Sequence, residues 1–245
     1  MRLGNSSVLK YVLFLVIAMV TYSCIVTELA RTPKGTGVSR SIGSVSNGKL
    51  ENGRRFPFRG ENYRYFSRIS YAFFNRAWVH SKVLDISLEA YEEMKGSKPN
   101  QDFLLMECSH KNGGKMWPHR THQNGTSIDF GTPLLKNNKP YYLHHHFGIW
   151  HYGMSFDQNG VSTLNSNVSI DFDTMGAHIL ALEKSARKRG MYIKKVIFKI
   201  DLKDDFFKSE NGKKVKMKGI YFAQALPKTI DNLHDEHYHI DFGFL

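Results

Sequence analysis

Two short stretches hold five of the chain's 12 histidines. The first reads His119-Arg-Thr-His122-Gln-Asn-Gly-Thr-Ser-Ile-Asp129, and the second reads His234-Asp-Glu-His237-Tyr-His239. Imidazole is the commonest metal ligand and the side chain that titrates nearest neutral pH, so such groups can hold a cation or move a proton. In the first stretch Gly125 lets the chain turn, so that His122 and Asp129 can converge on one ion. Two His and one Asp are ligands that zinc accepts, with a fourth position left for water. Water acidified by an ion is a nucleophile suited to amide hydrolysis. On a strand, His237 and His239 project from one face, where they can serve as a ligand and a neighbouring acid/base group. Either spacing alone arises by chance about once in such a chain. The two clusters together, each with a further histidine three residues upstream, are much harder to reach by accident.

The elements that must carry these residues are partly legible. Val83, Leu84, Leu88, Tyr91 and Met94 recur at helical spacing within Ser81 to Lys95, stopped by Gly96 and Pro99. Residues 102–108 read as a buried strand, 111–125 as a loop, and Ser127 to Phe130 as an alternating strand. Residues 131–173 resist assignment. Ile179, Leu180, Leu182 and Ala186 predict a helix over Met175 to Arg189, ended by Gly190. Ile193 to Ile200 and Tyr238 to Phe244 read as strands. Helices and strands mix without a βαβ rhythm, which predicts an α+β fold: a small, mainly antiparallel sheet carrying the metal site, flanked by helices and long loops.

The N-terminus and the charge bear on where the chain works. Arg2 and Lys10 precede an apolar run from Tyr11 to Val20, the shape of a secretory signal peptide. The run is short for a spanning helix, and Cys24 follows it in a loose lipoprotein-box setting, so cleavage, lipidation and retention as an anchor all stay open. Residues 1–24 thus read as a targeting segment, 25–40 as a linker and 41–245 as the working domain. Export follows, to the periplasm, with or without a membrane anchor. The net charge of +12 suits an anionic cell-wall polymer or a membrane surface. No basic helix or aromatic-interleaved sheet motif points to nucleic acid. Oligomeric state is not readable. Two cysteines support neither a disulfide framework nor a cysteine zinc cluster.

The combined motifs resemble those of the LAS metallopeptidases, and within them penicillin-insensitive murein endopeptidase. The similar segments are Ser41-Ile-Gly-Ser-Val-Ser-Asn-Gly48, Arg54-Arg-Phe-Pro57, the His119 to Asp129 stretch, and the His234, His237, His239 triplet. The resemblance implies that His122, Asp129 and His239 bind a catalytic zinc, with His119 also at the metal centre. It implies that His237 is the general acid/base and that His234 supports it, by orienting His237 or stabilising an oxyanion. A second family metal uses an Asp-x-x-His pair, for which Asp157-Gln-Asn-Gly160 lacks the histidine; His144, His145, His146 or His151 could substitute. The implied substrate is peptidoglycan, cut at D-alanyl–diaminopimelate or diaminopimelate–diaminopimelate cross-links. Two other activities stay open: a D,D-carboxypeptidase or dipeptidase on the same scaffold, and a non-catalytic zinc-containing wall-binding module.

Blander readings cover the remainder. The His144 to His146 run reads as a solvated loop. His80, His110 and His178 read as structural or surface residues. Trp117, Tyr141, Tyr142 and Trp150 fit a substrate groove or an ordinary core equally well, and Cys108 reads as a small buried hydrophobe.

Overall fold

The computed structural model describes residues 5–30 and 37–245, with side chains for 10–22 and 37–245. The fold is α+β. Its centre is a five-stranded sheet in the order Met191–Ile197, His237–Phe244, Ser127–Gly131, Phe103–Leu105, Tyr63–Tyr65. All neighbours are antiparallel except the last pair, Phe103–Leu105 with Tyr63–Tyr65. A second sheet of four short strands falls within residues 134–170, the region that resisted assignment. Its strands are only two to six residues long, too short to show a period.

Strand alternation sorts the terminal strand His237–Phe244 into two faces. Tyr238, Ile240 and Phe242 are buried on the side that packs against the helices, where Tyr238 stacks on Phe130 and its hydroxyl lies 2.6 Å from His178 Nδ1. His237, His239 and Asp241 project the other way, and they too are buried. The helix Phe172–Lys188 buries His178, Ile179, Leu182 and Ala186, and Asp171 caps it by accepting from Thr174 N. That cap sets its start three residues ahead of the expected Met175. The helix Ser81–Ser97 buries Val83, Ile86, Ala90, Tyr91 and Met94. One layer of helices therefore covers one face of the sheet, and loops and 3-10 turns cover the face with the histidines.

Several expectations need adjusting. The strand expected over 102–108 is regular only at Phe103–Leu105, and the one expected from Ile193 runs Met191–Ile197. His144 and His145 are not in a solvated loop: the 3-10 turn Leu143–His146 buries them to 1% and 5% exposure, leaving only His146 outside. Trp117 and Trp150 are 85% and 79% exposed, so neither is a core aromatic. Cys108 is buried and free, and His178 is a buried structural residue. The N-terminal helix spans Asn5–Ala30, into the segment expected as linker. Among the described residues no helix is long and apolar enough to cross a membrane, so a membrane anchor finds no support there. The side chain of Cys24, and with it the question of lipidation, lies outside the described residues, as do residues 31–36 of the linker.

Candidate metal centre

Asp129 sits mid-strand in Ser127–Gly131, directly opposite His239 on the adjacent strand. Cross-strand partners share a face, so the register alone brings the two clusters together across 110 residues of chain. His239 Nδ1 lies 2.7 Å from Asp129 Oδ1, and His239 Nε2 lies 2.7 Å from Asp241 Oδ1. Asp241 also accepts from Ser127 Oγ and pairs with Lys195 Nζ. The imidazole is thus clamped between two carboxylates. Burial would lower its pKa, but Asp241 and Asp129 outweigh burial and raise it to about 9.

His122 comes from the loop before that strand, in the left-handed region at φ +68°. A non-glycine residue there is uncommon and strained; here the conformation points the ring inward, with Nε2 3.2 Å from Asp129 Oδ2. His119 Nδ1 stands 3.8 Å from the same oxygen. Gly125, at φ +76°, completes the turn that returns the chain to the sheet. Ligand atoms of His119, His122 and Asp129 lie within 4.8 Å of one another. Asp129 Oδ2 and His122 Nδ1 are both buried without a hydrogen-bond partner. Burial would push the Asp129 carboxyl up, but His122 and His239 hold it well below the ordinary range. A buried anion with an unsatisfied oxygen, ringed by imidazoles, is a donor set that fits a divalent cation of the zinc type.

His237 Nδ1 lies 2.7 Å from Glu236 Oε1. A carboxylate only accepts, so Nδ1 carries the proton and Nε2 is left for proton transfer. Burial works against a charged ring, yet the neighbouring Glu236 raises the His237 pKa above its ordinary value. Glu236 is itself fixed, since Thr132 N and Oγ1 both donate to its carbonyl oxygen at 3.0 Å. His234 stacks at a tilt on His237, ring centroids 4.6 Å apart, but makes its hydrogen bond to the Ile230 carbonyl. His237 Nδ1 thus donates to Glu236, while His234 contacts His237 through its ring.

His119, His122, Asp129, His234, His237 and His239 line one cleft of about 510 Å³. Phe74, Ile149 and Leu233 give it apolar walls, while Arg76, Glu107 and Tyr152 join the histidines as polar lining. Trp117, Tyr141, Tyr142 and Trp150 do not line it. The 3-10 turn Gly148–Gly153 supplies Ile149 and Tyr152 from the unassigned region. His144 and His151, the latter within this turn, are buried with all four ring nitrogens without partners, and Asp157 is held by Asn159 N and Val161 N. Burial raises Glu107 to about 7, against the opposing charge of Arg76.

Glu236, Asp241, Glu107 and Tyr152 went unread in the sequence. Asp241 was within reach, because it lies two residues beyond His239 on the same strand face. Glu236 was not: alternation puts it opposite His237, but the strand starts at His237, so the rule does not apply to it.

The family model for penicillin-insensitive murein endopeptidase matches residues 41–145, which is the family the motifs resemble. The match includes His119, His122 and Asp129 and ends before the terminal cluster, which the sheet register brings against them. No curated protein matches the chain.

Proposed function

We propose that this chain, whose residues 41–145 match the murein endopeptidase family, is a zinc-dependent endopeptidase that hydrolyses peptide cross-links of peptidoglycan. The observation that carries the reading is the convergence of His122, His119 and His239 on the buried carboxylate of Asp129, with His237 and its Glu236 partner alongside. His122, Asp129 and His239 would hold the metal, with His119 at its edge. A divalent cation there supplies Lewis acidity for a carbonyl and acidifies water at neutral pH.

The chain's own residues do the remainder. Asp241 keeps the far nitrogen of His239 protonated, which fixes the ring and leaves Nδ1 facing Asp129. His237 takes a proton from the attacking water on Nε2 and returns it to the leaving amine, while Glu236 stabilises the ring during its charged interval. Phe74, Ile149 and Leu233 give the cleft apolar walls against which the apolar parts of a substrate can pack. The cross-links cut are D-alanyl–diaminopimelate and diaminopimelate–diaminopimelate bonds, in an exported, periplasmic protein. A β-lactam leaves the reaction untouched, since no serine acyl-enzyme forms.

Purified protein incubated with cross-linked muropeptides converts dimers to monomers, and a chelator stops it. His237→Ala keeps its metal and loses the activity. Release of free D-Ala or of a dipeptide instead of split dimers would make it a carboxypeptidase or dipeptidase. Activity surviving in His122→Ala or Asp129→Ala overturns the assignment.

A further inference from the structure

Peptide hydrolysis needs, besides a base, a hydrogen-bond donor at the place where the carbonyl oxygen gains charge. The polar groups of the cleft differ in what they can offer. His237 gives its Nδ1 proton to Glu236 and keeps Nε2 for proton transfer. His234 Nδ1 is 2.6 Å from the Ile230 carbonyl oxygen, which can only accept, so the proton sits on Nδ1. Burial, with His237 adding to it, lowers the His234 pKa to about 3, so the ring is neutral and its Nε2 bears a lone pair. A lone pair cannot donate to an oxyanion. Arg76 commits both terminal nitrogens, to the Trp117 carbonyl at 2.6 Å and to Glu107 at 3.5 Å, and only its Nε is left buried without a partner.

Tyr152 is differently placed. Its hydroxyl is buried and has no hydrogen-bond partner, although the residue lines the cleft. Its ring stands perpendicular to that of His237 at 5.9 Å and tilted to that of His119 at 6.4 Å, between the base and the ligand cluster. An ordinary phenol carries its proton throughout the neutral range, so the hydroxyl has a hydrogen to give. A buried donor without a partner is costly in the resting protein. It becomes satisfied when a charged oxygen develops beside it, which is how an interaction acts on the transition state rather than the ground state.

We infer that Tyr152 is the oxyanion donor of this cleft, its phenol O–H meeting the carbonyl oxygen of the scissile bond as that oxygen becomes negative. The inference rests on reading the cleft as a peptidase centre. It assigns to Tyr152 the oxyanion role that the family resemblance offered to His234.

Tyr152→Phe removes one oxygen that bonds to nothing, so its melting temperature and metal content match or exceed those of the wild type. On a cross-linked muropeptide dimer its kcat falls about 10²-fold while KM stays within about twofold. A phosphinate pseudopeptide, whose charged oxygens imitate the tetrahedral centre, binds Tyr152→Phe about 10²-fold more weakly by calorimetry. A methylene-amine analogue of the cross-link, which lacks that oxygen, binds both proteins alike. Wild-type kcat in Tyr152→Phe, or a loss of kcat accompanied by lost metal or a lower melting temperature, overturns the assignment. A metal-loaded wild type that splits no dimers refutes the proposed function instead. The phosphinate comparison then still decides Tyr152: unequal binding sustains it and equal binding overturns it.

Discussion

His239 and Asp129 are direct cross-strand partners, 2.7 Å apart at Nδ1 and Oδ1, on strands that meet only in the folded sheet. Because side chains on a strand alternate, a one-residue slip of the terminal strand would turn His239 to the helix side and leave Asp129 without it. The helix side is filled by Tyr238, Phe130 and His178, so the slip would also bury charge among aromatics. The packing of one face thereby enforces the chemistry of the other.

Asp129→Asn tests the centre itself. The amide keeps the shape but loses the charge that His119, His122 and His239 surround. Metal per chain, measured by mass spectrometry of the purified protein, should fall toward zero, and muropeptide cleavage should fall with it. Full metal occupancy in this variant would mean that Asp129 is no ligand.

Glu236→Gln separates holding the base from being the base. Glu236 raises the His237 pKa by its charge and its hydrogen bond. His237 must be neutral to accept a proton, so activity is lost as pH falls through that pKa. Without the carboxylate the pKa drops, and the acid limb of the kcat/KM profile moves to lower pH. At the optimum, kcat falls about 10- to 100-fold, the usual effect of removing an orienting partner. An unmoved acid limb with full metal would show that Glu236 does not act through His237.

How much of this was legible follows from the length of each pattern. The helices Ser81–Ser97 and Phe172–Lys188 each show several apolar turns, and the terminal strand shows eight alternating residues. All three appear in the sequence with ends displaced by a few positions. The His119 to Asp129 motif was readable because its residue types carry chemistry whatever the fold. The second wall of the cleft was not. Ile149 and Tyr152 come from a 3-10 turn of six residues, too short for any period, and the place of Tyr152 depends on its contacts with Phe66 and His237. The same region hid the burial of His144 and His145, because a run of polar letters reads as solvated unless the tertiary contacts are known.

Glu107 makes stability depend on pH in a predictable direction. Its carboxyl has a folded value of about 7, raised by burial from 4.5. Between these values the unfolded chain is ionised at this position while the folded chain keeps its proton. The folded state therefore loses stability as pH rises from about 4.5 to about 7 and gains it back in acid. Glu107→Gln removes that dependence, and its Oε1 can still accept from Ser70 Oγ as Glu107 does at 3.0 Å. Urea unfolding should find the variant near the wild type at pH 4.5 and relatively more stable at pH 8, by on the order of 3 kcal/mol at most. An equal difference at both pH values would contradict a raised Glu107.

Gly125→Ala addresses the turn that carries His122 to Asp129. Two costs apply: the residue sits at φ +76°, and a Cβ there would lie 2.7 Å from Leu50 Cδ2 and 3.0 Å from His80 N. Leu50 is 2% exposed and has little room to withdraw, and His80 N donates to the Gly125 carbonyl at 2.9 Å. Gly114 shares the backbone conformation at φ +84° but has open space where its Cβ would go. Gly114→Ala thus measures the backbone cost alone, about 1–2 kcal/mol, while Gly125→Ala adds a steric cost of about 1–3 kcal/mol. Only the second displaces the loop bearing His122, so it alone should also weaken metal binding. Equal unfolding midpoints and equal metal content for the two variants would show that the Leu50 contact does not hold the turn in place.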